Sequence, residues 1–243
     1  MVFKREKKEK KKEKKHGFVR EYFELIVETA IYVFFVITFV AQSFLIPTGS
    51  MEDTLLIGDH LFVNKFIYAP TIFSWEKKIL PIKDIERGDI VVFRFPEDPT
   101  KDFVKRTIGL PGESLRIVNK KVLINGIPLK EPYVYHKDKN IYSKENTIFE
   151  DYIRRDNFQI DRIPEGYYFV MGDNRDNSLD SRYWGPLKRS YIKGRPWIIY
   201  WSYKASSRQY LVKGTGNQIK NMINSLLHIF TKTRWKRTLK LIK

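Results

Sequence analysis

Residues 88–96 read GDIVVFRFP. A Gly-Asp turn leads into six residues that are nearly all β-branched or aromatic, and Pro96 ends the run, which is the pattern of a short buried strand. The same punctuation recurs on both sides. Val122, Leu123 and Ile124 run into Asn125-Gly126 and then Ile127, a tight hairpin, because Asn-Gly suits two residues at positive φ. Pro128 puts the second arm at an edge. Glu165-Gly166 precedes the apolar run 167–171, and Pro196 precedes the aromatic run 197–203. No long amphipathic helix lies between residues 50 and 203, and no internal repeat is visible. The expected fold class is mainly β: an antiparallel, barrel-like domain over residues 47–203 whose chemistry sits in loops, with the polar stretch 135–157 as a peripheral insertion.

The chain has 243 residues, 42% of them hydrophobic and 15% aromatic, which supports a sizeable core and excludes global disorder. Cysteine is absent, which excludes a disulfide scaffold, a thiolate metal site and a cysteine nucleophile. The net charge of +17 invites a nucleic-acid reading, but its distribution argues against one. Residues 1–22 carry ten Lys/Arg against four Asp/Glu, and residues 204–243 carry ten Lys/Arg and no acid. Residues 23–203 hold 25 basic and 24 acidic side chains, so the body is nearly neutral. Tails this basic suit anionic lipid head groups, and no nucleic-acid partner is expected.

Residues 29–46, TAIYVFFVITFVAQSFLI, contain no formal charge. At about 1.5 Å per residue they would cover roughly 27 Å, close to the hydrocarbon thickness of a bilayer. The expectation is a membrane-spanning helix over residues 23–46, stopped by Pro47 and Gly49. A cleaved secretory signal and a buried core helix are the competing readings; the run exceeds a typical h-region and no A-x-A site follows it. The basic arm, residues 1–22, places the N-terminus in the cytoplasm and everything after Pro47 outside. Within the basic tail, residues 217–230 have apolar positions at helical spacing, suiting either a core-docked helix or an interfacial one.

His16, His60, His136 and His228 are far apart and lack ligand-spaced partners, so no metal or other cofactor is expected. The acidic loop 173–180 departs from a calcium-binding loop at Arg175, Ser178 and Trp184. Three other stretches stand out. Residues 46–55, IPTGSMEDTL, place Ser50 at an irregular turn; residues 102–113, DFVKRTIGLPGE, put Lys105 and Arg106 inside a strand-like run; residues 172–185, GDNRDNSLDSRYWG, form a dense polar loop after an apolar strand. Each alone has a bland reading: a linker, a solvated basic pair, a self-bonded turn. Adjacent strand residues point to opposite faces, so only one of Lys105 and Arg106 is expected to face inward.

In this order the three stretches resemble the conserved boxes of type I (leader) signal peptidases, membrane-anchored Ser/Lys proteases. The resemblance runs from the apolar N-terminal segment to about Tyr203 and does not extend to the basic tail. It departs at Asp53, where the family usually has proline. It implies Ser50 as nucleophile and Lys105 as general base, with Ser178 orienting the amine. It further implies Asp180 and Arg182 as an ion pair holding the loop, Thr48 with the Ser50 backbone N–H as an oxyanion hole, and Met51 against the substrate. A lysine can serve as base only when neutral, which requires burial against apolar groups such as Phe103, Val104 and Ile108. The implied activity is removal of signal peptides from secreted preproteins at the outer face of the cytoplasmic membrane, with membrane lipids as the other partner. A maturation peptidase of a conjugation or secretion system would share the dyad. A membrane-tethered scaffold binding lipid or nucleic acid is the alternative of another class. Oligomeric state is not legible in the sequence.

Overall fold

The computed structural model describes residues 18–36, 41–69, 75–76, 81–211, 225 and 227–242. It falls into two compact units, residues 1–39 and residues 40–243. In the first, helix α1 (Phe18–Phe35) carries Arg20, Glu21, Glu24 and Glu28, and Arg20 Nε donates to Glu24 Oε1 one turn on, at 2.6 Å. Among the described residues, no helix is long and apolar enough to cross a membrane.

The helix expected over residues 23–46 therefore needs correction. It ends at Phe35, and Ala41–Leu45 form strand β1, antiparallel to β2 (Asp59–Asn64), with Ala41 opposite Asn64 and Leu45 opposite His60. Residues 37–40 lie outside the described residues. An apolar run by itself does not distinguish strand from helix. Here the backbone groups of β2 supply pairing partners for residues 41–45, which a helix would leave unpaired on that edge.

The second unit is built on antiparallel strands, as the punctuation of the sequence predicts. β3 (Ile90–Phe95), β4 (Asp98–Gly109), β9 (Tyr167–Met171), β10 (Leu187–Lys188) and β11 (Ile192–Ser202) join the first two strands in the order β1-β2-β11-β3-β4-β9-β10, and β12 (Lys240–Leu241) adds to β11. A smaller sheet runs β7-β6-β5-β8, from β5 (Leu115–Val118), β6 (Lys121–Ile124), β7 (Ile127–Pro128) and β8 (Phe158–Ile160). Pro196 lies within β11 rather than before it, where the register with β2 shifts between Pro196 and Ile198. A bulge is where a strand tolerates a missing N–H.

Three apolar clusters fill the unit. Ile108, Leu115, Ile117 and Phe169 pack under the small sheet. Val91, Phe93, Val170 and Leu187 form the second. Ile46, Met51, Leu55, Leu61, Ile90 and Ile199 form the third, directly under the turn that carries Ser50. The stretch 135–157 is not peripheral in its contacts: Tyr135 N donates to Asp173 O (2.9 Å) and Asp138 N to Asp176 Oδ2 (2.7 Å). Its helix α2 (Glu150–Asp156) brings buried Arg155 onto Asp156 and Asp138. Most of the helix expected over residues 217–230 lies outside the described residues; beyond it, the short helix α4 (Ile229–Lys232) and β12 return to the body.

The β6–β7 turn has Asn125 at φ 50° and Gly126 at φ 80°, and a Cβ on Gly126 would meet nothing within 4 Å. Any cost of adding one is therefore backbone strain alone. Gly126→Ala is expected to lower stability by about 1 kcal/mol, read as a lower urea midpoint at unchanged m-value.

Candidate active site

Ser50 lies on the turn that leaves β1. The turn is anchored at its base, where Ile46 N donates to Asp59 O at 2.9 Å, and it closes through Glu52 N to Gly49 O (3.3 Å) and Leu55 N to Met51 O (2.7 Å). Lys105 comes from β4, opposite Val91 of β3. Its Nζ donates to Ser50 Oγ at 2.7 Å. The lysine is 3% exposed and its Nζ stands 5.4 Å from the Phe103 ring centroid, two residues back on the same face of the strand.

Burial pushes the Lys105 pKa down from 10.5 to about 8. The carboxylates of Asp180 and Asp173 pull it upward and the Arg182 charge pushes it further down. Desolvation dominates because an ammonium loses more hydration energy than a neutral amine when buried. A substantial neutral fraction therefore exists near pH 8, and a neutral amine in hydrogen-bond reach of a serine hydroxyl can accept its proton.

The polar loop 172–185 holds this pair from one side. Asn174 N donates to Ser50 O (3.2 Å) and Asn174 Nδ2 to Gly49 O (3.1 Å) and Glu52 Oε2 (3.2 Å), so one residue grips the Ser50 turn, its backbone at one carbonyl and its side chain at a second carbonyl and a carboxylate. Gly172 permits the approach: a Cβ there would lie 2.3 Å from Ser178 Oγ and 2.5 Å from Ser50 O. Ser178 is buried beside Gly172, and its hydroxyl reaches no partner at full hydrogen-bond geometry.

Two buried arginine–aspartate pairs brace the loop. Arg182 Nε and Nη2 donate to the two oxygens of Asp180, both at 2.8 Å, and Asp180 also accepts from Gly172 N. Two of the three remaining guanidinium hydrogens reach Arg155 O (2.9 Å) and Arg175 O (2.7 Å). Burial alone would raise the Asp180 pKa; the Arg182 charge and its hydrogen bonds, with the nearby Ser178 hydroxyl and Gly172 N, reverse that and hold the carboxyl below its usual range. Helix α3 (Ser181–Trp184) starts at Asp180, which caps it by accepting from Arg182 N.

The second pair is Arg106 with Asp173, at 2.9 Å and 2.7 Å. Arg106 also donates to Gly88 O at 2.7 Å and lies 4.0 Å from the Tyr133 ring centroid. Lys105 and Arg106 are thus both buried, and Arg106 is paired with a carboxylate rather than facing solvent, the two outcomes expected for the residue opposite Lys105. They do point to opposite faces of β4, but that strand is covered on both.

Among the remaining expected site residues, Thr48 is exposed and Met51 is 1% exposed within the third apolar cluster. Met51 is a core residue in this arrangement rather than one presented to a substrate, because the turn after Ser50 folds its side chain inward under Leu55 and Ile46. Neither the Thr48 hydroxyl nor the Ser50 N–H donates to an acceptor among the described residues, so two donors flank the nucleophile. Asp53 is exposed. The sequence assigns no role to Asn174, Asp173 or Gly172 individually. Their signal was the density of Gly, Asp and Asn beside a strand end, which does not say which distant backbone such residues will hold. Among the described residues, no group of three His, Asp or Glu side chains is placed to hold a metal ion.

A family model described as signal peptidase, peptidase S26, matches residues 19–201. The chain belongs to the peptidase S26 signal peptidase family. Signal peptidase I of Pseudomonas aeruginosa PAO1 is 40% identical to this family member over 164 residues, covering 62% of this chain and 58% of that protein. Signal peptidase I of Aquifex aeolicus VF5 is 31% identical over 220 residues, covering 72% and 81%. The chain spans little more than half the length of the Pseudomonas relatives, 58% and 56%. A crystal structure of a signal peptidase I from Enterococcus faecalis V583 matches at 34% identity and a TM-score of 0.37, over 47% of this chain and 97% of that one.

In this S26 chain the Asp180–Arg182 pair is the brace with the largest consequence if broken. Arg182→Ala would leave a fully buried carboxylate without its counter-charge, and the expected loss is about 3–5 kcal/mol. Chemical denaturation measures it, and Arg182→Lys should recover only part, because one ammonium cannot serve both carboxylate oxygens and two carbonyls.

Proposed function

We propose that this protein is a serine endopeptidase that removes N-terminal signal peptides from secreted preproteins, with Ser50 as nucleophile and Lys105 as general base. One observation carries the reading: the buried Lys105 amine donates to Ser50 Oγ at 2.7 Å, with its pKa lowered to about 8. Membership of the peptidase S26 family and the names of the relatives support the substrate class.

The chemistry follows from the two groups. The neutral Lys105 amine takes the Ser50 proton as Oγ attacks the scissile carbonyl carbon. The carbonyl oxygen becomes an oxyanion, for which the Thr48 hydroxyl and the Ser50 N–H are the proposed donors; one such donor contributes about 3 kcal/mol. The resulting Lys105 ammonium returns its proton to the leaving amine as the peptide bond breaks, and an ester on Ser50 remains. Water then attacks that ester, Lys105 taking its proton and handing it to Ser50 Oγ as the ester bond breaks, so the signal peptide leaves with a free carboxyl group and the Ser50 hydroxyl and neutral amine are restored. Ser178, buried beside Gly172, is proposed to orient the amine, since a neutral hydroxyl does so without favouring the ammonium.

The proposed location is the outer face of the cytoplasmic membrane, where the substrate's own apolar segment lies. The lysine-rich arm before residue 16 and the apolar residues after Glu28 support a tether with the N-terminus inside. Ser50 follows such a tether closely in the chain, which suits cleavage sites near the bilayer surface.

The test is cleavage of a synthetic precursor in detergent, with the cut position mapped by mass spectrometry. Ser50→Ala and Lys105→Ala are each expected to lower kcat by about a thousandfold or more. Either variant cutting at the wild-type position and rate would remove the dyad from the mechanism. Because the base must be neutral, log kcat/KM is expected to rise with pH and level off above about pH 8, the value to which burial brings Lys105. A profile that falls across that range would contradict the assignment.

A further inference from the structure

The matched family region ends at residue 201, yet the chain beyond it returns to the nucleophile turn. Residues 232–242 form a strap along β11. Lys204 N donates to Lys232 O (2.8 Å), Arg234 N to Ser202 O (2.8 Å) and Ile242 N to Trp197 O (2.9 Å), and Lys240–Leu241 pair with Ile199 and Ile198. Trp201 Nε1 donates to Thr233 Oγ1 at 3.1 Å, and Ile242 packs on the third apolar cluster, which holds Met51 and Leu55.

Arg237 of this strap reaches the segment between Ser50 and β2. Its Nη2 donates to Thr54 O at 2.9 Å and to Asp59 Oδ2 at 2.6 Å. Asp59 is fully buried, and its carboxylate also accepts from Ser202 Oγ (2.6 Å) and Leu56 N (2.9 Å). Arg234 adds a second tether, donating to Ile57 O at 3.0 Å. Thr54 is the junction: its carbonyl takes Arg237, and its hydroxyl donates to Asp173 Oδ2 at 2.6 Å. Asp173 in turn holds Arg106, the neighbour of Lys105 on β4.

The geometry points to Arg237 as a positioning residue for the Ser50–Lys105 pair, acting through Thr54 from a C-terminal strap that lies beyond the residues matched by the family model. The inference rests on the peptidase reading. The Ser50 turn is held at Gly49 and Ser50 by Asn174 and, four residues on, at Thr54 by Arg237, and the Thr54 hydroxyl joins the two attachments through Asp173. Loosening the second leaves the apolar contacts of a substrate in place but lets the hydroxyl drift from the amine. The signature is a loss in kcat rather than a rise in KM.

The test uses the full chain and a synthetic precursor in detergent, with kcat and KM measured for wild type, Arg237→Ala, Arg237→Lys and the double variant Asp59→Asn/Arg237→Gln. Arg237→Ala is expected to lower kcat about tenfold with KM within about twofold of wild type, and Arg237→Lys to recover at least half of the lost rate. The double variant removes the buried charge of Asp59 together with that of Arg237, leaving Arg234, which lies 3.8 Å from Asp59 and is a quarter exposed, with its hydrogen bond to Ile57 O; it is the variant to use if Arg237→Ala does not fold, and the same fall in kcat is expected of it. A folded Arg237→Ala or double variant with kcat within twofold of wild type, or above it, overturns the inference, as does a fall in kcat that lysine leaves unrepaired. A wild-type chain inert toward the precursor overturns the peptidase reading itself, and is distinguishable because no variant is needed to see it.

Discussion

The site depends on a lysine amine kept out of water. Lys105 is an ordinary side chain of an ordinary strand until both faces of β4 are covered; then its ammonium form becomes expensive and its neutral form accessible near pH 8. Hydrogen-bond reach to Ser50 then follows from placing a turn against that strand. Burial supplies the basicity, and the turn supplies the proposed nucleophile.

Holding the turn is a separate problem, and the chain solves it with buried ion pairs rather than apolar packing alone. Asp180–Arg182 fixes the loop 172–185 internally, and Arg106–Asp173 ties that loop to the strand of the base. Each carboxylate is bidentate to its arginine, and further guanidinium hydrogens reach backbone carbonyls, so the desolvated charges are well satisfied. These same charges act on Lys105 with opposite signs, Asp180 and Asp173 raising its pKa and Arg182 lowering it. A brace made only of carboxylates would lack that lowering contribution.

Local chemistry was legible where a short stretch has one low-energy solution. Asn125-Gly126 specified its turn because few other pairs sit at two positive φ values, and residues 90–95 specified a buried strand between a turn and a proline. Residues 29–46 were not legible in the same way: an uncharged run is compatible with a helix or a strand, and pairing with Asp59–Asn64 decided in favour of β1 for its last part. Met51 was misplaced for a related reason. Sequence adjacency to Ser50 says nothing about which way a turn rotates the next side chain, and here it went into the core.

From the sequence alone came the identities of the proposed reacting groups, the antiparallel strand character of the body and the partition of charge into two tails, since each depends on residue type and near neighbours. Only the tertiary structure decided that Lys105 and Arg106 are both buried, that Asn174 grips the Ser50 turn and that the basic tail returns to Thr54 and Asp59. Those are contacts between residues more than fifty positions apart in the chain, and their energy comes from desolvating charges and backbone groups together, a quantity set by what covers a residue and not by what precedes or follows it.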